Sequence, residues 1–285
     1  MTNTNKIHLI FFHGITYNHK RAIAYVESLH DRSLKNCNIS VYAHEYTKAF
    51  QSYTLYFIIS LLLIGAIITS LIVVIRNFSV SGIIKAVFTA LIFTLCSIIL
   101  LIIPFMNINQ GLIKSSIEHI ESLIDDNVEP KDIVLYGHSF GGAAASETLK
   151  YFINKDIVLG GIIFNNTFSS FEAAIRNFRS PQTKILSILP SSFLDKVLRT
   201  LNLEYDIAEI IKDKASLPII IINSNNDNVI PKPAQLATSL ANKFYSKNIS
   251  IYHNDGYHDE IMQNSLFDYI IVQSMKKITN NSCYD

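Results

Sequence analysis

Three residues in this chain have the types and the order needed for nucleophilic attack on a carbonyl. Ser139 stands in Gly137-His138-Ser139-Phe140-Gly141, Asp227 in Asn225-Asn226-Asp227-Asn228-Val229-Ile230-Pro231, and His258 in Asp255-Gly256-Tyr257-His258-Asp259-Glu260. A serine hydroxyl becomes an effective nucleophile when an adjacent imidazole takes its proton. A carboxylate completes the relay by fixing the imidazole tautomer and stabilising the imidazolium. G-x-S-x-G between a strand and a helix forms a nucleophile elbow, a turn tight enough to strain the serine backbone and to admit only small residues two places either side. Gly137 and Gly141 occupy those places, with His138 a neighbour of the site inside the elbow. The plain alternatives are a glycine-rich turn that exposes a serine, and an aspartate that only shapes an Asn-rich loop. His253 competes with His258 as the base, but its place in an apolar run assigns it to a strand. Asp259 reads as the N-cap of the last helix.

A tetrahedral intermediate needs hydrogen-bond donors waiting for its oxyanion, each contributing about 2.7–4 kcal/mol. The Phe140 N–H directly follows the nucleophile. A second donor is expected from His13-Gly14-Ile15-Thr16, with Ile15 N–H preferred over Gly14 N–H and with His13 bracing the loop.

Those loops require strands that end side by side. Apolar runs mark strands at 7–12, 39–46, 133–136, 158–164, 218–223 and 249–253. Helical spacing marks 20–34, 112–124, 142–152, 233–244 and 259–278 between or after them. Strand–helix alternation with strands apolar on both faces predicts an α/β fold with a mostly parallel sheet of about six strands. The elbow, Asp227 and His258 then all fall at the C-terminal edge, where open α/β sheets place their sites. The mostly helical stretch 169–216 interrupts the alternation and reads as a cap whose apolar residues, Phe171, Phe193 and Leu198 among them, pack it to the core or line a channel.

Of the 285 residues 49% are hydrophobic and only 16% charged, and the excess is local. Residues 55–75 and 86–106 contain no charged side chain. Each run, at about 1.5 Å per helical residue, can cross a hydrocarbon core of roughly 30 Å. Residues 76–85 can hold only a turn. Strands on both sides of 55–106 must join one sheet, so the chain has to return to the side it left, which two crossings achieve. A single domain over 1–285 with an inserted two-pass hairpin in the lipid bilayer is therefore expected. The catalytic part is placed on the cytoplasmic face because no basic-then-apolar leader precedes the first strand. The three cysteines, Cys37, Cys96 and Cys283, show no metal spacing, and their odd number offers no disulfide framework, in keeping with a reducing compartment. With 24 basic and 23 acidic residues, nothing points to nucleic acid. Ligand spacing such as H-E-x-x-H is missing, so neither a metal nor an organic cofactor is implied. Oligomeric state is not legible.

The segments FFHG, GHSFGG, NDNVIP and GYHDE resemble the oxyanion loop, elbow, acid loop and histidine loop of the α/β-hydrolase superfamily. With Phe164-Asn165-Asn166-Thr167-Phe168 they are similar to membrane-anchored α/β-hydrolase-domain serine hydrolases. That resemblance implies a serine hydrolase acting on lipid-like acyl esters or thioesters through a Ser139–Asp227–His258 triad. The chain departs from those relatives in starting almost at the oxyanion loop and in carrying its apolar segment internally. A serine peptidase or small-ester hydrolase on the same fold is the nearest alternative, since a fold does not select its chemistry. A non-catalytic membrane scaffold is the alternative from another class.

Overall fold

The structure is a computed structural model and describes residues 6–14, 19–35, 37–44, 65, 113–177, 187–200, 203–212, 217–241, 248–259 and 265–279. Six strands, β1 (Ile7–Phe12), β2 (Ile39–Ala43), β3 (Ile133–His138), β4 (Gly161–Asn165), β5 (Ile219–Ser224) and β6 (Ile249–Asn254), form one sheet in the order β2-β1-β3-β4-β5-β6. Every pairing is parallel. The helices among the described residues are α1 (His19–Leu29), α2 (113–125), α3 (Gly141–Asn154), α4 (Phe171–Asn177), α5 (Ser191–Thr200), α6 (Ile207–Lys212), α7 (Leu236–Ala241) and α8 (Ser265–Thr279).

The strands are apolar throughout because both sheet faces are covered. Leu9, Phe11, Val134, Tyr136, Ile220 and Ile222 share one core with Tyr25 and Leu29 of α1 and with Ile271 and Met275 of α8. Their neighbours of opposite parity, Ile10, Phe12, Leu135 and Phe164, are fully buried on the other face, where α3 packs on β3, β1 and β4. Each such side chain contributes about 1.5–3 kcal/mol by leaving water. The expected α/β class and parallel six-stranded sheet are observed.

Several boundaries move for local reasons. α1 ends at Leu29 and the chain continues through a π-helical turn, His30–Leu34, where Arg32 reaches Asp268 of α8 at 3.2 and 3.3 Å. β2 is described only to Ala43. β4 begins at Gly161 rather than Val158. Val158 is 60% exposed, and Gly160 packs so closely on the Lys131 carbonyl that a Cβ there would collide with it. The expected helix 233–244 opens as a 3-10 turn, Lys232–Ala234, after Pro231 and resumes as α7. The cysteine reading is corrected at Cys37, which is disulfide-bonded. An odd count leaves one thiol over but does not prevent a pair, so the cysteines lend no support to a reducing compartment.

By its contacts the chain divides into two units. One comprises Met1–Glu45, Ile113–Thr200 and Glu204–Asp285, and the other Tyr46–Leu112 with Leu201–Leu203. The expected hairpin, 55–106, lies outside the described residues apart from Gly65. Among the described residues no helix is long and apolar enough to cross a membrane. Ile15 and the apolar cap positions 178, 185, 186 and 201 also lie outside them.

Gly141 tests the packing of helix on sheet. Its Cβ would be driven into the Phe12 backbone carbonyl of β1, which cannot move without breaking the sheet. Gly141→Ala is expected to destabilise the domain by about 3 kcal/mol, seen as a fall in Tm of about 6–12 °C.

Candidate active site

Strand register brings the site together. Phe12 of β1 pairs with Gly137 of β3, so two residues further on Gly14 and Ser139 are neighbours; a Cβ on Gly14 would lie 3.3 Å from the Ser139 Cβ. His138 pairs with Asn165, and Ser224 with Asn254, so the loops carrying Asp227 and His258 leave the same edge.

Ser139 adopts φ 54°, a left-handed conformation costly for a residue with a Cβ. The chain must reverse there from β3 into α3, and the close approach of the flanking glycines makes the reversal possible. A Cβ on Gly137 would lie 2.5 Å from the Gly142 Cα. Both peptide groups of Ser139 are held. Its N–H donates to the Asn165 carbonyl at 2.9 Å, and its own carbonyl accepts from the Gly142 N–H at 3.0 Å and the Thr167 hydroxyl at 2.6 Å.

The Ser139 Oγ lies 2.9 Å from His258 Nε2, and His258 Nδ1 lies 2.8 Å from Asp227 Oδ2. With Nδ1–H donating to the carboxylate, the Nε2 lone pair faces the serine hydroxyl. The Asp227 side chain is fully buried and that of His258 nearly so. The other Asp227 oxygen, Oδ1, accepts the N–H groups of Val229 and Ile230, both at 2.8 Å. Asp227 therefore shapes its loop with one oxygen and orients the imidazole with the other. His253 is exposed on β6, opposite Asn223 in register, and is not brought to the serine.

Phe140 precedes the first residue of α3, so its N–H lies at a helix start, where backbone donors have no carbonyl partner within the helix. Gly14 adjoins the serine side chain as described, and buried His13 donates from Nδ1 to the Gly14 carbonyl at 2.8 Å, fixing that turn. The preferred second donor, Ile15, is not among the described residues.

His138 is buried and its Nε2 lies 3.4 Å from Asp259 Oδ1, while its ring centroid is 5.2 Å from that of His258. Burial holds the His138 pKa below the ordinary imidazole range, and the hydrogen bond from His138 holds that of Asp259 below the usual carboxylate range. The Asp259 carboxylate thus meets the elbow histidine. The cap role expected for it concerns residues 260–264, outside the described set.

Asn166 and Thr167, in the Phe164–Phe168 segment, have no role legible in the sequence. Asn166 has φ 46° and is almost fully buried. Its Nδ2 donates to Ser224 Oγ and to the His258 carbonyl, both at 2.9 Å, and its Oδ1 accepts the Ser224 N–H at 2.8 Å. One side chain thereby ties the β4 end to the end of β5, which leads to Asp227, and to His258 itself. Polar residues just past an otherwise apolar strand were the available signal. Beside them, Phe140, Phe168, Phe171 and Tyr205 form an aromatic cluster with centroids 5.7–6.5 Å apart. Phe171 opens α4, so this end of the stretch 169–216 packs against the elbow.

No protein-family model matches the sequence, and no curated protein is significantly similar to it. Among solved structures the chain is similar to TT1662 of Thermus thermophilus, at 9% identity over 97% of this chain and 90% of that one, with a TM-score of 0.50. It is also similar to the Pyrococcus furiosus esterase Pf2001, at 11% identity over 96% and 83%, with a TM-score of 0.50. An α/β hydrolase of Vibrio vulnificus is 17% identical over 54% of this chain, which spans about half (51%) of that protein, with a TM-score of 0.40. The likenesses to TT1662 and to the Pyrococcus furiosus esterase establish the fold.

Asn166→Ala strands a buried N–H on Ser224 and a carbonyl on His258, each costing about 1–3 kcal/mol. Urea unfolding should show a loss of at least about 2 kcal/mol. Thr167→Val keeps the side-chain volume and removes one hydroxyl, so its loss should be nearer about 1 kcal/mol.

Proposed function

We propose that this protein is a serine hydrolase that cleaves carboxylic esters or thioesters of lipid-like acyl substrates while held at a membrane. The carrying observation is the continuous relay from Ser139 Oγ through His258 to Asp227, at 2.9 and 2.8 Å, on a backbone-strained serine. In the reaction His258 Nε2 takes the Ser139 proton as Oγ bonds to the carbonyl carbon. The carbonyl oxygen becomes an oxyanion taken up by the N–H of Phe140 and that of Gly14. Collapse expels the alcohol or thiol, which receives the proton from His258. Water then attacks the acyl-enzyme with His258 again as base, releasing the acid and restoring Ser139.

The lipid-like class is supported by apolar surface beside the triad. Val229 and Tyr257, each within two residues of a triad member, are 40% and 51% exposed. The two uncharged runs in 55–106 supply the membrane half of the reading, since a hairpin there would raise the effective concentration of substrates that reside in lipid. The similar Pyrococcus furiosus protein is an esterase, in agreement with ester chemistry.

Fluorophosphonate should label the wild type in membranes and leave Ser139→Ala unlabelled, while Asp227→Asn labels about 10⁴-fold more slowly. A folded wild type that takes no label would overturn the hydrolase reading. After an alkaline carbonate wash the wild type should stay with the membranes, whereas a variant lacking residues 55–106 should move to the supernatant. A wild type that washes off would remove the hairpin.

A further inference from the structure

His138 and Asp259 stand against the triad yet have no part in the relay. His138 lies one residue before the nucleophile and Asp259 one residue after the base, and strand register brings the two together from distant parts of the chain. One ligand atom each from His138, His258 and Asp259 lie within 4.8 Å of one another. We propose that these three side chains form a binding site for a divalent ion of the zinc class, and that the bound ion switches Ser139 off.

Two imidazoles and a carboxylate are a donor set for zinc and its borderline neighbours rather than for magnesium or calcium, which take oxygen ligands. Bonds of about 2.0–2.2 Å from the metal place ligand atoms of a tetrahedral site roughly 3.3 Å apart. The His138 Nε2–Asp259 Oδ1 separation of 3.4 Å already has that span. The remaining separations, within 4.8 Å, close by rotation of the Asp259 side chain, 56% exposed, together with a shift of the His258 ring toward His138, which is 1% exposed. The exposed carboxylate also gives the ion an entry, and the three ligands leave a fourth position for water.

Metal-bound histidines generally donate their other ring N–H to a carboxylate, which fixes the tautomer and raises ligand basicity. His258 is already arranged so, its Nδ1 2.8 Å from Asp227 Oδ2. The orientation that readies Nε2 to accept a serine proton equally readies it to bind a metal. Nε2 has one lone pair and lies 2.9 Å from Ser139 Oγ. Metal ligation and activation of the serine are therefore mutually exclusive. The inhibition rests on the hydrolase reading above, whereas the ligation does not.

The purified full-length chain, freed of metal with EDTA, is titrated with Co²⁺ and followed by the visible absorption of tetrahedral cobalt, then with Zn²⁺ in competition. Wild type and Ser139→Ala should each bind one ion. Asp259→Ala, which removes an exposed ligand and keeps Ser139, His258 and Asp227, should weaken binding at least about tenfold, the loss that even an outer-shell change produces. In parallel, Zn²⁺ should suppress fluorophosphonate labelling of the wild type reversibly with EDTA, and Asp259→Ala should need at least about tenfold more. A wild type without the tetrahedral cobalt spectrum, or Asp259→Ala with unchanged affinity and zinc sensitivity, overturns the site. A wild type that binds cobalt but is never labelled keeps the site and removes the hydrolase reading. One that labels regardless of Zn²⁺ removes the switch.

Discussion

The left-handed backbone of Ser139, at φ 54°, is the constraint around which this edge of the sheet is built. A strand that simply continued would carry the hydroxyl on along the sheet. The reversal lifts it clear of the edge and starts α3 within two residues. Such a conformation persists only where the surroundings over-determine it. Here Asn165 and Thr167 grip the two peptide groups of the serine from the β4 end, and the backbone of α3 lies against Gly137. Strain at Ser139 is thus balanced by contacts from two neighbouring elements, so the serine position belongs to the sheet rather than to its own loop.

The same edge explains how residues far apart in sequence reach hydrogen-bond distance. Parallel pairing puts the C-terminal ends of β1, β3, β4, β5 and β6 in a row, so each exit loop needs only a few residues to present its side chain. Asp227 is three residues beyond β5 and His258 four beyond β6. Short loops limit the conformations that must be excluded to hold the relay. Asn166 excludes more by bonding the end of β5 and His258 at once.

The strands were legible because a parallel sheet covered on both faces demands uninterrupted apolar runs, and IHLIFF and PIIIIN can satisfy little else. The meeting of Ser139, Asp227 and His258 was legible because G-x-S-x-G needs a turn that admits only small flanking residues, and because Asp227 and His258 each follow a strand that ends at the same edge. Boundaries governed by proline and by single close approaches, at Gly160 and Pro231, were not, since periodicity averages over them. Nor was the Cys37 disulfide, because spacing does not encode which cysteines meet. Asn166 escaped for a different reason: its value lies in which distant groups it satisfies, and nothing in a local window distinguishes a buried asparagine with three partners from one on a surface turn.

Burial at this edge departs from the apolar rule of the sheet interior. Asn165, Asn166, Thr167, Asn223, Ser224 and Asn254 are all nearly inaccessible. They occupy the layer where strands give way to loops, and there backbone groups lose their ladder partners. Apolar replacements would gain transfer energy but strand those backbone donors and acceptors, at about 1–3 kcal/mol each. The polar layer is therefore the form in which a chain can close the sheet and still hold three loops at fixed distances. Asn165 holds the Tyr136 hydroxyl of β3, the others bond strand ends and the neighbouring loops, and that cross-linking turns a sheet edge into a rigid frame for an imidazole between a serine and a carboxylate.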